Sequence, residues 1–153
     1  MGHSIHSKVD IDALRVLEKL RRAGFDACFV GGCVRDSLLG WSPKDWDIAT
    51  SACPDDVEAL FERTVAVGKT FGVMLVIAGG KEFEVATFRG EDTYTDGRRP
   101  DHVVFSSARA DAERRDFTVN ALMYDPFEDE IHDYVGGQND LEQGIIRTVG
   151  DPE

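Results

Sequence analysis

The sequence predicts an α+β domain with a mixed β-sheet and flanking helices, on three observations. Apolar residues near the N-terminus recur at helical spacing. Segments 72–78 and 82–89 alternate about a pair of glycines. Short apolar runs closed by glycine or aspartate are interleaved with further helical stretches. The 153 residues, 42% hydrophobic and 30% charged, hold enough apolar material for one core, which excludes collagen-like and wholly disordered chains.

Asp10 opens a helix in which Ile11, Leu14, Leu17 and Leu20 recur every three residues, and Gly24 stops it. Ala27 to Val30 reads as a short buried strand ending in Gly31-Gly32. Cys33 to Leu39 resumes helical spacing, capped by Gly40. Trp46 to Ala49 is a strand, after which Thr50-Ser51 and Pro54 start a helix over Asp55 to Arg63. Gly72 to Ala78 and Glu82 to Arg89 pair as a hairpin through Gly79-Gly80-Lys81. Gly90 to Asp101 is polar and reads as a loop before a strand at Val103 to Ser106. Helical spacing covers Ala108 to Asp116 and Phe117 to Tyr124, ended by Asp125-Pro126. Strands at Ile131 to Tyr134 and Ile145 to Val149 flank a turn of helix around Asp140-Leu141.

Charge narrows the function. With 29 acidic against 17 basic residues, the net charge is −12 and the pI near 4.7. A domain that held nucleic acid by its overall field would be basic. Yet arginine outnumbers lysine twelve to five, and seven of the twelve lie between Arg89 and Arg147. That bias suits a local phosphate site, because the guanidinium fork matches phosphate oxygens; a solvated surface with helix ion pairs is the plainer alternative. No apolar run reaches the ~18 residues of a membrane span, and no secretory signal opens the chain. Cys28, Cys33 and Cys53 form no C-x-x-C pair, and their odd number points to reduced thiols and a cytoplasmic protein.

Four groups of residues could carry chemistry. Gly31-Gly32 between a strand and a helix lets backbone N–H groups approach a phosphate, and Arg35 in the first helical turn suits a bound anion. Read plainly, this is a tight turn with a surface ion pair. Asp45 and Asp47 flank Trp46 at a strand start, so both carboxylates face one way and repel unless a cation such as Mg²⁺ sits between them. A solvated turn is the other reading. Glu84 lies on the strand face opposite Phe83, Val85 and Thr87, where a third carboxylate would complete a two-metal clamp for phosphoryl transfer. In Arg114-Arg115-Asp116-Phe117-Thr118-Val119-Asn120, a helix would put Asp116 and Asn120 on one face to read a ribose, with Arg115 reaching phosphate. An ordinary amphipathic helix would look the same. Gly68-Lys69-Thr70 is not a P-loop, since Arg63 stands where its first glycine belongs, and the four histidines share no metal-ligand spacing.

Taken in order, Gly31-Gly32-Cys33-Val34-Arg35-Asp36, Asp45-Trp46-Asp47, Glu84 to Arg89, Tyr94 to Pro100 and Arg114 to Leu122 resemble the head domain of class II CCA-adding tRNA nucleotidyltransferases and bacterial poly(A) polymerases. The resemblance runs from about Phe25 to Pro152. It implies a nucleotidyltransferase fold with a DNA polymerase β-like palm, over residues 10–150, with 151–153 the start of a neck, while His3 and His6 mark 1–9 as a leader such as an expression tag leaves. It also implies that Asp45, Asp47 and Glu84 hold catalytic Mg²⁺ and that Gly31, Gly32 and Arg35 line a triphosphate site. Arg115, Asp116 and Asn120 would contact the nucleotide, Thr93 to Pro100 would match the mobile catalytic loop, and Gly144 to Gly150 the hinge to the neck. The activity so implied is addition of nucleotides from ATP or CTP to the 3′ end of tRNA or another RNA, with release of pyrophosphate. The sequence stops before the neck segment that reads the base in that family, so RNA gripping is expected of further domains or a partner. A catalytically silent nucleotide-binding module, or a nucleotidyltransferase acting on a small molecule or protein, are the rival classes. The intact carboxylate set argues against the first and the ribose-reading segment against the second.

Overall fold

Asp10 caps the first helix, α1 (Ile11–Arg22), its carboxylate accepting the backbone N–H groups of Asp12 and Ala13. The computed structural model describes residues 5–90, 104–105 and 107–149. Strand β1 (Ala27–Val30) leads into α2 (Gly32–Leu38), then β2 (Asp47–Thr50), α3 (Pro54–Leu60), β3 (Thr64–Gly68), β4 (Val73–Ala78) and β5 (Lys81–Thr87). After the short pair β6 (Arg89–Gly90) and β7 (Val104–Phe105) come α4 (Ala108–Glu113), a 3-10 turn over Thr118–Asn120, β8 (Met123–Asp125), β9 (Glu130–His132) and α5 (Gly137–Glu142). The main sheet runs β3-β4-β5-β2-β1-β8-β9 and is mixed, because β2 and β5 are parallel while the other neighbours are antiparallel.

The sheet divides two cores. Phe29, Ile48, Met74, Val76, Phe83, Val85 and Tyr124 pack with Val16, Leu17 and Leu20 of α1, Val34 of α2 and Val57 of α3. Val30, Ala49, Phe88 and Met123 face the other way and pack with Ala112 of α4 and with Ala121. Alternation along β5 sends Phe83 and Val85 into the first core, and Phe88, just past its end, into the second, as the sequence predicts. Lys81, just past the β4–β5 turn, ties that hairpin to the start of α1 through Asp10 at 2.7 Å and Asp12 at 3.0 Å.

Several expectations are corrected. Phe117 to Tyr124 is not a helix: the 3-10 turn gives way to β8, whose register pairs Val30 with Met123. Residues 121–124 are all buried, Met123 in one core and Tyr124 in the other. A run apolar on both faces carries no period to separate a strand from a helix. Ile145 to Val149 contributes one bridge, Thr148 to Phe117, rather than a strand. The helix expected to reach Arg63 ends at Leu60, where Phe61 turns extended. Strand β3 was not anticipated, since Val65 and Val67 of this edge strand are exposed. The core also reaches into the stretch set aside as a leader, with Ile5 buried. The strand expected over Val103 to Ser106 is present as β7, whereas the loop expected over Gly90 to Asp101, with its Thr93 to Pro100 segment, lies outside the described residues except for Gly90, which pairs in β6.

Helix α5 rests on the 3-10 turn at Gly137, where an added Cβ would collide with the Thr118 carbonyl. Gly137→Ala should therefore lower stability by about 1–3 kcal/mol in denaturant titrations, since backbone rather than a flexible side chain stands in the way. Wild-type stability in that variant would show that α5 is free to shift away.

Candidate active site

Trp46 sets the geometry of the carboxylates. It is buried in the first core, edge-on to Phe29 with ring centroids 5.1 Å apart. Its two neighbours in sequence therefore turn to the opposite side, leaving Asp45 exposed and Asp47 half-buried at the first position of β2. The parallel register pairs Ile48 with Val85, which brings Glu84 alongside Asp47 on the neighbouring strand. Asp47 also sits opposite Val30, the residue that leads into Gly31.

At Gly31 the chain leaves β1 with φ 80° and ψ −140°, a conformation essentially restricted to glycine, and enters α2. Two arginines from distant segments lie over this turn. Arg35 Nη2 is 3.2 Å from the place a Cβ on Gly32 would take, and Arg115 Nη1 is 4.0 Å from the equivalent place on Gly31. Arg35 donates from Nη1 to Asn120 Oδ1 at 2.6 Å and from Nε to Asp36 at 2.9 Å. The structure thus joins residues 85 apart in sequence. Between α2 and β2 lies an open cavity of about 410 Å³, with Gly32, Arg35, Trp41, Lys44, Asp45 and Asp47 in its wall.

Two expected arrangements do not form. Asp116 is exposed, with its carboxylate on the Phe117 backbone N–H, and no helix places it one turn from Asn120. Nor, among the described residues, do three His, Cys, Asp or Glu side chains converge closely enough to hold a metal. Asp45 precedes the strand and so is not fixed by its ladder, while Glu84 is exposed. Asp47 nevertheless responds to both: burial first, then the charges of Glu84 and Asp45, push its carboxyl up to about 6, with Arg115 pulling the other way. An oxygen-only pair strained in this way fits a hard divalent cation, which takes one or two carboxylates together with substrate phosphates.

Two residues of the site escaped the sequence reading. Trp41 gave no signal beyond being an aromatic in a polar turn. Asp111 did leave one, since it stands three and four residues before Arg114 and Arg115, the spacing of ion pairs on a helix. By contrast, burial pushes the thiols of Cys28 and Cys33 up to about 12, which favours the protonated form of both.

A mixed sheet with α2 rising from a glycine turn, a carboxylate pair at the head of β2 and arginines over that turn define a nucleotidyltransferase domain. The family model described as the poly(A) polymerase head domain matches residues 27–147, and the chain belongs to that family. A CCA-adding enzyme of Leuconostoc mesenteroides is 50% identical over 144 residues, covering 94% of this chain and 36% of the relative. Poly(A) polymerase I of Salmonella typhi is 42% identical over 163 residues, covering 99% of this chain and 35% of its own. The crystal structure of the Bacillus stearothermophilus CCA-adding enzyme in complex with CTP superposes with a TM-score of 0.81 at 45% identity, over 92% of this chain and 33% of that one. This chain spans about a third of the length of these relatives.

The state of Asp47 predicts a pH signature. Its folded-state pKa, about 6, lies above the ordinary 3.8, so the fold holds this proton more tightly than the unfolded chain does. The group therefore costs nothing at pH below 3.8, and its cost grows until the pH passes about 6. Asp47→Asn should raise Tm by roughly 2–5 °C above that window without divalent cation, and by nothing below it. A gain of equal size on both sides of the window would mean that ionisation is not its source.

Proposed function

We propose that this domain is the catalytic head of a Mg²⁺-dependent RNA nucleotidyltransferase that transfers a nucleotide from ATP or CTP to an RNA 3′ end, with tRNA the leading substrate, and releases pyrophosphate. The observation that carries the reading is the meeting at one glycine turn of two kinds of group: the Asp45–Asp47 pair and the guanidinium groups of Arg35 and Arg115. Relatives named CCA-adding enzyme and poly(A) polymerase I, and a fold match to a complex with CTP, support it.

Asp45 and Asp47, with Glu84 alongside, are the residues that would hold the metal. When bound, Mg²⁺ supplies charge for the attacking and leaving oxygens of an in-line displacement. Arg35 and Arg115 place their positive charge over Gly31 and Gly32, where it would orient a triphosphate and offset charge building up on the leaving pyrophosphate. Asn120, with its Oδ1 taken by Arg35, keeps its amide N–H groups to donate toward a sugar. Asp116, exposed beside them, would serve the nucleotide from the rim. With a net charge of −12, the chain offers no long-range attraction for RNA, whose grip we place in the remaining two-thirds of the relatives' length or in a partner.

Supplied with Mg²⁺, CTP and ATP and a tRNA lacking its 3′ terminus, the protein carrying this head should release pyrophosphate as the tRNA lengthens. Asp47→Ala should cut that release at least about 100-fold while the domain still melts cooperatively. Release near the wild-type rate would overturn the metal assignment. Lengthening of no RNA, with transfer to a protein or small molecule instead, would overturn the substrate.

A further inference from the structure

Asp111 is 1% exposed, yet it is a carboxylate on a six-residue helix in an acidic chain. A buried anion needs partners for its oxygens, and those of Asp111 come from Arg89, Arg114 and Arg115. Its Oδ1 accepts the Arg89 backbone N–H at 2.7 Å, at the start of β6, and Arg114 Nη2 at 3.2 Å. Its Oδ2 accepts Arg115 Nε at 3.3 Å and Nη2 at 2.9 Å. Both edges of one carboxylate are thus used, and among the described residues Arg115 pairs with no other acid.

The division of the Arg115 fork matters more than the number of bonds. Nε and Nη2 are spent on Asp111, which leaves Nη1 as the nitrogen that faces Gly31. Without that hold, the long side chain would swing among rotamers, and three cations, Arg89, Arg114 and Arg115, would sit together without a counter-charge. Their crowding is felt: burial and the charges of Arg89 and Arg115 hold the Arg114 guanidinium below its ordinary range, with Asp111 opposing them.

We propose that Asp111 is a positioning residue for nucleotide binding: its buried carboxylate clamps two nitrogens of Arg115 so that the third is fixed toward the Gly31–Gly32 turn before any triphosphate arrives. The inference rests on the proposed function, in which that turn receives the phosphates. Pre-setting the fork removes the ordering cost that a free arginine would bear on binding. An asparagine at position 111 would keep one acceptor oxygen for Arg89 and Arg114 but would turn an NH₂ group toward the Arg115 donors.

The test is a calorimetric titration of CTP with Mg²⁺ into the wild-type protein, Asp111→Asn, Arg115→Gln and the double variant, each checked for a cooperative melt. Asp111→Asn should weaken binding roughly tenfold, and the double variant should bind no worse than Arg115→Gln alone. A folded Asp111→Asn protein with wild-type affinity, or losses that add in the double variant, would overturn the positioning role while leaving the nucleotidyltransferase reading intact. If Arg115→Gln binds CTP as the wild type does, or the wild type fails to bind it, the phosphate-site reading itself falls. Should Asp111→Asn fail to fold, the nitrogen resonances of the Arg115 guanidinium in the ligand-free wild type decide the matter. Slow rotation about Nε–Cζ, with its Nη groups resolved, is the expected result; a single averaged signal would overturn the clamp.

Discussion

Trp46 lies edge-on against Phe29 in the first core, and the start of β2 inherits its orientation from that contact. Strand residues alternate faces, so one buried aromatic determines where Asp45 and Asp47 go. The parallel pairing with β5 then determines what Asp47 meets, namely Glu84. A slip of β2 by one residue in that register would send Asp47 toward the first core and Ile48 out of it. Burial of Ile48, Val85 and Phe29 opposes such a slip, and so the hydrophobic core holds a cluster of like charges that would otherwise drift apart. Burial first, and the neighbouring charges of Glu84 and Asp45 second, raise the proton affinity of Asp47 where the core holds it.

The same balance explains how an acidic chain can hold an anion. Net charge acts at long range and is screened within about 8 Å at physiological salt, whereas a phosphate answers to the groups in contact with it. Arg35 and Arg115 reach the glycine turn from different elements, one from α2 and one from just past α4. Each is held by an acid, Asp36 for Arg35 and Asp111 for Arg115. Neutralising a guanidinium on one edge leaves the other edge free, so these pairs orient positive charge rather than cancel it.

Much of this was legible in the sequence, and the reasons differ by element. Strand β1, helix α1 and the β4–β5 hairpin had clear periods, caps and glycine punctuation, and they stand within a residue or so of expectation. The mixed sheet was also anticipated, whereas the D-x-D spacing and the charged residue on a strand left a solvated turn open, and only the sheet register places Asp47 and Glu84 on neighbouring strands. Two things were hidden. Residues 121–124 are apolar on both faces, so their strand looked helical, and Asp116 and Asn120 lost the shared face that a helix would have given them. The Arg35–Asn120 bond was invisible for another reason, since no local pattern joins residues so far apart in sequence.

Asn120 is in turn placed by residues still further along the chain. Thr118, two positions before it, donates its hydroxyl to Asp140 at 2.7 Å and its backbone N–H to the Arg147 carbonyl at 2.9 Å. Arg147 closes the circuit by donating from Nε to the same Asp140 oxygen at 3.0 Å, which holds that carboxyl below the usual range together with Thr118. Asp140 is 3% exposed, and Thr118 and Arg147 together occupy its oxygens, so losing both partners would leave a buried carboxylate without them. The backbone adds the Val149 N–H to the Asp116 carbonyl and the Thr148–Phe117 bridge. Segment 145–149 therefore does the work of a strand without being one: through Thr118 it fixes the turn that carries Asn120, and through Asn120 it steadies Arg35 over the glycine turn.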